Sequence, residues 1–344
     1  MSNFRGASTL MLPLSAGSKE IEGREGSYSP VLIVRPRGHG GVATVIDAVE
    51  PHLGPNVEIL RASVAKHPYD LAAVLTRARN SPVVHLHPSF RWRALLRDGA
   101  LHRLIKAGGA STLVHWHGVD RALILRIDDD AQLRHLARTL VGDADHSFGL
   151  IPELQDAYAR WGLGDLEIVR NPHPARVGPR APVPRRILFL GRFVEDKGVH
   201  ALVVALGLLR RTWPDATLVL AGRGPESMTG RGVRELGWID EDRRQTELSR
   251  ASVLVLPTRD DAAPMVVLEA LAAGVPVVAT RIGAIPEMIG EAGILIDQPD
   301  PASIARAIEA IWRDPPPRRR LDAYAPQAIA HHWSATYEAL ACRG

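Results

Sequence analysis

The sequence predicts an α/β protein built from two doubly wound, parallel-sheet (Rossmann-like) domains facing a central cleft. Three observations predict it. The chain has 344 residues, more than one ordinary domain and enough for two of ~150. Short, near-continuous β-branched runs alternate with longer amphipathic stretches, the pattern of a parallel sheet covered on both faces. The alternation stops once, at a proline-rich stretch, and then restarts.

Taken in order, residues 1–28 stand apart. Serine, glycine and charged residues dominate them, and their one apolar piece, Leu10 to Leu14, is interrupted by Pro13. This makes a poor secretory signal, and a disordered arm is the expectation. From Pro30 onward, strands are predicted at Val31–Val34, Val57–Leu60, Val83–Leu86, Thr112–His115 and Leu166–Val169. Helices lie between them, among them Val42–Val49, Tyr69–Arg79 and Trp92–Ala107. These form a first domain over residues 29–172. The break from Asn171 to Arg185 holds Pro172, Pro174, Pro179, Pro182 and Pro184 and has no periodicity, so a linker is placed at 173–185. A second domain, 186–318, follows. Its strands are Ile187–Leu190, Thr217–Ala221, Val253–Leu256, Val275–Ala279 and Ile294–Ile296. Its helices are Val199–Arg211, Arg243–Arg250, Met265–Ala273 and Ala302–Trp312. Ligands of such sheets sit beyond the carboxyl ends of the strands, so the cleft between the domains is the expected site.

Composition narrows the class. Hydrophobic residues make up 46% of the chain, enough to bury two cores, and no apolar run approaches the ~20 residues of a membrane-spanning helix. The single cysteine, Cys342, rules out an internal disulfide framework and fits a reducing, cytoplasmic setting. A net charge of +4 permits an anionic partner, such as a diphosphate or an anionic membrane surface, without requiring one; no nucleic-acid partner is expected.

The loops carry the chemistry. Strand Val253–Leu256 runs into Pro257-Thr258-Arg259-Asp260-Asp261, then Ala262-Ala263-Pro264 and a helix opening at Met265 and carrying Glu269. Pro264 suits a first helical turn, and free N–H groups there form an anion site. Asp261 either caps that helix or accepts hydrogen bonds from sugar hydroxyls. Glu269 either is solvated or takes the paired hydroxyls of a ribose. Its helix is otherwise apolar, so a buried carboxylate there demands a partner. After Ile187–Leu190 comes Gly191-Arg192-Phe193-Val194-Glu195-Asp196-Lys197-Gly198. Arg192 and Lys197 can clamp a diphosphate and stabilise it as it leaves; alternatively Lys197 pairs at the surface with Glu195 or Asp196. Gly222-Arg223-Gly224-Pro225 and Gly283-Ala284-Ile285-Pro286-Glu287 are further junctions at the same edge, each also readable as an ordinary turn.

The first domain offers Gly38-His39-Gly40-Gly41 after its first strand, where glycines admit close backbone approach to a ligand. This is not the dinucleotide fingerprint, because the third glycine is misplaced. His115-Trp116-His117-Gly118 closes a later strand. His85, His87 and His115 alternate along strands without the Cys or carboxylate pattern of a metal site, and are read as core or loop histidines. Asp128-Asp129-Asp130 is read as a helix start rather than a cation site. The basic amphipathic segment 91–106 could rest on an anionic membrane. The plainer expectation is a surface helix with Leu95, Leu96, Leu104 and Ile105 packed inward.

Taken together, these residues resemble the retaining glycosyltransferases of family 4, which have the two-domain GT-B fold. From about Arg186 to Asp300, the Gly191–Gly198, Gly222–Pro225, Gly237-Trp238-Ile239, Pro257–Ala273 and Gly283–Glu287 segments fall in the family's order and spacing. The first domain matches more loosely, through Gly40-Gly41 and His117-Gly118. The resemblance implies that Arg192 and Lys197 bind the donor diphosphate, with Gly191, Gly222, Gly224, Pro264 and Met265 lining the donor site. It further implies that Glu269 holds the ribose, Asp261 lies near the donor sugar, Gly237 to Ile239 border the base, Gly40 and Gly41 close over the diphosphate and His117 faces the transferred sugar. Residues 319–344, around Trp333 and Tyr337, resemble the family's terminal helix, which returns to the first domain. Asp261 is one methylene shorter than the family's glutamate, and Ala262-Ala263 and Ala284 depart from its Gly-Phe and Gly-Gly.

The function this implies is metal-independent, cofactor-free transfer of a hexose, with retention, from a nucleoside-diphosphate sugar to a glycan or lipid-linked hydroxyl. Such an enzyme would act in polysaccharide or glycolipid assembly, in the cytoplasm or at the inner membrane face. The alternatives are a weakly active GT-B relative serving as a binding partner in a glycan-assembly complex, another GT-B enzyme such as an epimerase or phosphorylase, and a nicotinamide-dependent dehydrogenase.

Overall fold

A computed structural model describes residues 30–37, 40–64, 68–173, 179–225 and 227–342. The expected N-terminal arm, Gly38, His39 and the middle of the linker lie outside the described residues.

The first domain runs β1 (Val31–Arg35), α1 (Gly41–Val49), β2 (Val57–Arg61), α2 (Pro68–Ala78), β3 (Val83–Leu86), β4 (Ser89–Phe90), α3 (Trp92–Ala107), β5 (Ser111–His115), β6 (Gly118–Val119), α4 (Arg121–Asp129), α5 (Ala131–Val141), β7 (His146–Gly149), α6 (Pro152–Trp161) and β8 (Glu167–Ile168). Six strands form one parallel sheet ordered β2-β1-β3-β5-β7-β8, while β4 and β6 pair separately. Both faces are covered, which is why β1 and β3 are apolar but for Arg35 and His85. Along β1, Leu32 and Val34 pack with Val74 of α2 and Leu101 of α3, whereas Ile33 packs on the opposite side with Ile46 of α1.

The second domain runs β9 (Arg186–Leu190), α7 (Val199–Thr212), β10 (Thr217–Ala221), β11 (Val233–Gly237), α8 (Glu241–Arg250), β12 (Val253–Leu256), α9 (Met265–Ala272), β13 (Val277–Thr280), α10 (Ile285–Ile289), β14 (Gly293–Ile296) and α11 (Pro301–Arg313). Its sheet is parallel and ordered β11-β10-β9-β12-β13-β14, the doubly wound arrangement. The fold is thus α/β with two Rossmann-like domains, of GT-B type. A last helix, α12 (Pro326–Ala341), leaves the second domain and buries Ile329, Ala330, Trp333, Tyr337 and Leu340 in the core of the first.

Several expectations need correction. Strand β7 reads His-Ser-Phe-Gly and β11 reads Val-Arg-Glu-Leu-Gly, so neither shows an apolar run. The first is a strand because β5 and β8 flank it. The second lies at the sheet edge, where Arg234 and Glu235 reach solvent. On α3, Leu95 and Ile105 are buried as expected, but Leu96 and Leu104 are 36% and 51% exposed. The inward stripe is completed by Gly99, Leu101 and His102 instead, with His102 bonded to the Leu140 carbonyl and to Thr112. The basic side chains of α3 are partly neutralised, Arg97 by Asp98, Arg103 by Asp143 and Lys106 by Asp145. Of the three aspartates, only Asp130 opens a helix, accepting from the amides of Gln132 and Leu133; Asp128 and Asp129 end α4, and Asp128 binds Arg160 and Trp161. No helix among the described residues is long and apolar enough to cross a membrane.

Candidate active site

The direction of chain winding reverses between β9 and β12, so the loops leaving these neighbouring strands part and leave a crevice at the sheet's carboxyl edge. The β9 loop holds Gly191 to Gly198, with Glu195–Lys197 as one turn of 3-10 helix. The β12 loop holds Pro257 to Pro264. The two are tied by the Arg259 amide donating to the Asp196 carbonyl at 2.7 Å and by the Thr258 hydroxyl donating to the same carbonyl at 3.2 Å. Gly198 makes this approach possible: its φ is +66°, and a Cβ there would stand 2.1 Å from the Pro257 carbonyl oxygen.

Across this junction the Lys197 ammonium donates to the Asp261 carboxylate at 2.5 Å and to the Asp260 carbonyl at 3.1 Å. Both side chains are largely shielded, 15% exposed for Lys197 and 23% for Asp261. The Lys197 surface pair with Glu195 or Asp196 is therefore not what forms. Nor does Asp261 cap α9: Pro264 occupies the cap position without a side-chain bond, and Asp261 spends its carboxylate on Lys197. Arg192 projects into solvent from the same loop, and its guanidinium makes no hydrogen bond or ion pair with the described residues.

The remaining loops are stitched to these two. The Phe193 amide donates to the Arg223 carbonyl, the Gly222 amide to the Gly237 carbonyl and the Ala284 amide to the Ala262 carbonyl, each at 2.8 Å. A Cβ on Gly222 would come within 1.7 Å of the Gly191 carbonyl oxygen, so these turns stack backbone on backbone. Gly191, Gly222, Gly224, Lys197, Asp261, Pro264 and Met265 are thereby gathered at one edge. Ile239 follows Gly237 at the far end, half-buried on the second core, beside Trp238, which is 68% exposed.

Glu269 is buried on α9 and pairs with Arg244 of α8 at 3.0 Å. Burial pushes its carboxyl up to about 7; the Arg244 guanidinium opposes this and the Glu241 carboxylate adds to it. Arg244 is the partner that the apolar surroundings of Glu269 demanded, and nothing in its local sequence marks it. Arg121 is also silent in the sequence: it crosses from the start of α4 to bind Asp260 at 2.8 Å and reaches the Asp261 carbonyl. Asn171 donates to the Ala263 carbonyl of the β12 loop, and Arg170 pairs with Glu287 of α10, so the end of the first domain holds both loop regions. Ala262 is buried in the core of the first domain.

In the first domain, His117 lies four residues before Arg121, and its Nε2 bonds to Nδ1 of His87 at 2.8 Å. Burial pushes His117 down to about 3, so the ring is neutral. Gly40 and Gly41 open α1 at the carboxyl end of β1; a Cβ on either would meet nothing within 4 Å. No hydrogen bond among the described residues joins them to the loops of the second domain.

Residues 184–314 match the family Glycosyl transferases group 1. Glycogen synthase of Mycobacterium tuberculosis is 34% identical over 178 residues, 46% of this chain and 42% of that protein. Phosphatidyl-myo-inositol mannosyltransferase of Mycobacterium leprae is 29% identical over 221 residues, 56% of this chain and 59% of that protein. The chain therefore spans about half the length of these curated relatives. In fold, HepE of Anabaena, solved with UDP-glucose, superposes with a TM-score of 0.63 at 17% identity, covering 91% of this chain and 98% of that one. Sucrose-phosphate synthase of Thermosynechococcus elongatus gives 0.61 at 18% identity, covering 92% and 97%. This chain thus combines a GT-B fold over its described length with a second domain similar in sequence to the glycosyl transferases of group 1.

Proposed function

We propose that the chain is a retaining hexosyltransferase that takes a nucleoside-diphosphate sugar as donor and a hydroxyl of a glycan or lipid-linked acceptor as nucleophile. One observation carries this reading: at a topological switch point a shielded lysine and an exposed arginine, unpaired among the described residues, share one loop, and the loop bonded to it leads into a helix that carries a buried carboxylate. Arg192 and Lys197 supply fixed positive charge where a diphosphate leaves, which lowers the barrier without a divalent cation. Glu269 takes the ribose hydroxyls, Ile239 borders the base, and Asp261 accepts from the donor sugar while Lys197 swings to phosphate. Gly40 and Gly41 offer open backbone to the diphosphate. His117, kept neutral by burial, hydrogen-bonds the sugar rather than acting as an acid.

The bond from the anomeric carbon to the phosphate oxygen breaks, and the acceptor oxygen bonds to the same face of that carbon. The acceptor's proton passes to the departing phosphate oxygen, so no protein nucleophile is needed. The likeness to HepE, solved with UDP and UDP-glucose, and to glycogen synthase and the mannosyltransferase supports this reading. A thermal-shift panel of nucleoside diphosphates and their sugars tests it. One nucleotide class should stabilise the protein, by ~2.7 kcal/mol at ~100 times its dissociation constant. Transfer should proceed without added magnesium or manganese. A flat response across the panel overturns the assignment.

A further inference from the structure

Four imidazole rings cluster at the carboxyl ends of β3 and β5. Ring centroids lie 4.0 Å apart for His85 and His87, 5.3 Å for His87 and His115, and 4.1 Å for His115 and His117. His85 and His115 are wholly buried and His87 is 9% exposed. Trp333 of α12 packs on the first three, with Phe148 and Tyr337 beside them. One nitrogen each from His85, His87 and His115 lies within 4.8 Å of the other two.

The hydrogen bonds of this cluster do not close. His85 Nδ1 bonds to the Tyr337 hydroxyl at 2.7 Å and His87 Nδ1 to His117 Nε2 at 2.8 Å. His85 Nε2, His87 Nε2 and both nitrogens of His115 are buried without a partner. Interiors rarely leave four such atoms orphaned. If each Nδ1–H donates, to Tyr337 and to His117, the two Nε2 atoms become bare, buried lone pairs. That is the tautomer a metal-binding imidazole takes when an outer partner orients it.

We propose that His85, His87 and His115 bind one divalent transition metal ion of the zinc class, as a structural site in the first domain. Three imidazoles suit zinc, cobalt, nickel and copper, whereas the hard cations magnesium and calcium seek oxygen. Nitrogens at ~2.0–2.1 Å from a tetrahedral ion stand ~3.3 Å apart, so the widest pair closes by about 1.5 Å through ring rotation. The ion would link β3 to β5 and, through Tyr337, to α12. It does not depend on the proposed transfer reaction.

The test uses the full chain. Elemental analysis of the purified protein should find a first-row transition metal bound. After chelator treatment, cobalt(II) should produce a saturable visible absorption, displaced by zinc, and raise the thermal midpoint. His85→Phe and His115→Phe keep the ring volume and remove the nitrogens, and should abolish the absorption. A partly exposed trio, Glu167 with His146 at 2.9 Å and His332 at 2.8 Å, is the competing surface site; His332→Ala should leave cobalt binding unchanged. A purified protein with neither bound metal nor cobalt absorption overturns the proposal. So does a signal that survives in folded His115→Phe or vanishes in His332→Ala. Should the Phe variants fail to fold, wild type and His332→Ala decide.

Discussion

Lys197 and Arg192 leave the same strand five residues apart and stand in opposite states. The first is shielded and already neutralised by Asp261; the second is exposed and unpaired among the described residues. If both stabilise a departing diphosphate, Arg192→Ala and Lys197→Ala should each lower turnover by ~10²-fold or more. Wild-type rates in both would remove them from the chemistry. Glu269 makes a second residue-level prediction, through pH. Its carboxyl is raised from 4.5 to about 7, so the folded protein holds this proton more tightly than the unfolded chain. Stability from this group is full below about pH 4.5 and declines as pH climbs through about 7. Glu269→Gln should flatten that slope in denaturant titrations between those limits. Ribose hydroxyls donating to Glu269 favour the ionised form, so nucleotide affinity should rise from about pH 6 to about pH 8 in wild type and lose that rise in Glu269→Gln. Calorimetric titration at both pH values reads this directly.

At the scale of elements, the site is a set of loops whose backbones are bonded to one another, and glycine is what lets them touch. Gly222→Ala would drive a Cβ into the Gly191 carbonyl. We expect a loss of about 2–4 kcal/mol in urea unfolding, together with weakened nucleotide binding, because the β9 and β10 loops must separate. A stability change within ~0.5 kcal/mol would mean the loops tolerate separation. The loops after β9, β10, β12 and β13 were legible as candidates because each ends a readable strand in glycine, proline or charge. Their mutual arrangement was not. Asp261 reads equally well as a helix cap or a ligand until Lys197, 64 residues away, is seen to hold it.

Over the whole molecule, α12 ties the end of the chain to the first domain. Trp333 is fully buried among Ile329, Ala330 and the histidine rings. Trp333→Ala should cost ~3–5 kcal/mol and release the helix, read as a lowered denaturation midpoint and new protease cleavage near residue 326. Cleavage and midpoint unchanged from wild type would show that α12 contributes little to holding the first domain.

Strand and helix periods are local, set by neighbours within one or two turns, and so the paired Rossmann-like architecture and the glycine, lysine and carboxylate loops of the second domain could be read in order along the chain. Strands β7 and β11 escaped because their identity comes from the strands they pair with, β5 and β8 for the first and β10 for the second, and not from their own residues. The Arg121–Asp260 bridge spans 139 positions and the His85–Tyr337 bond spans 252. No local pattern encodes such partners. The Asp261–Glu269 segment acquires its meaning in the same way: the winding of the sheet brings Lys197 to one acid and Arg244 to the other, and burial raises the proton affinity of Glu269.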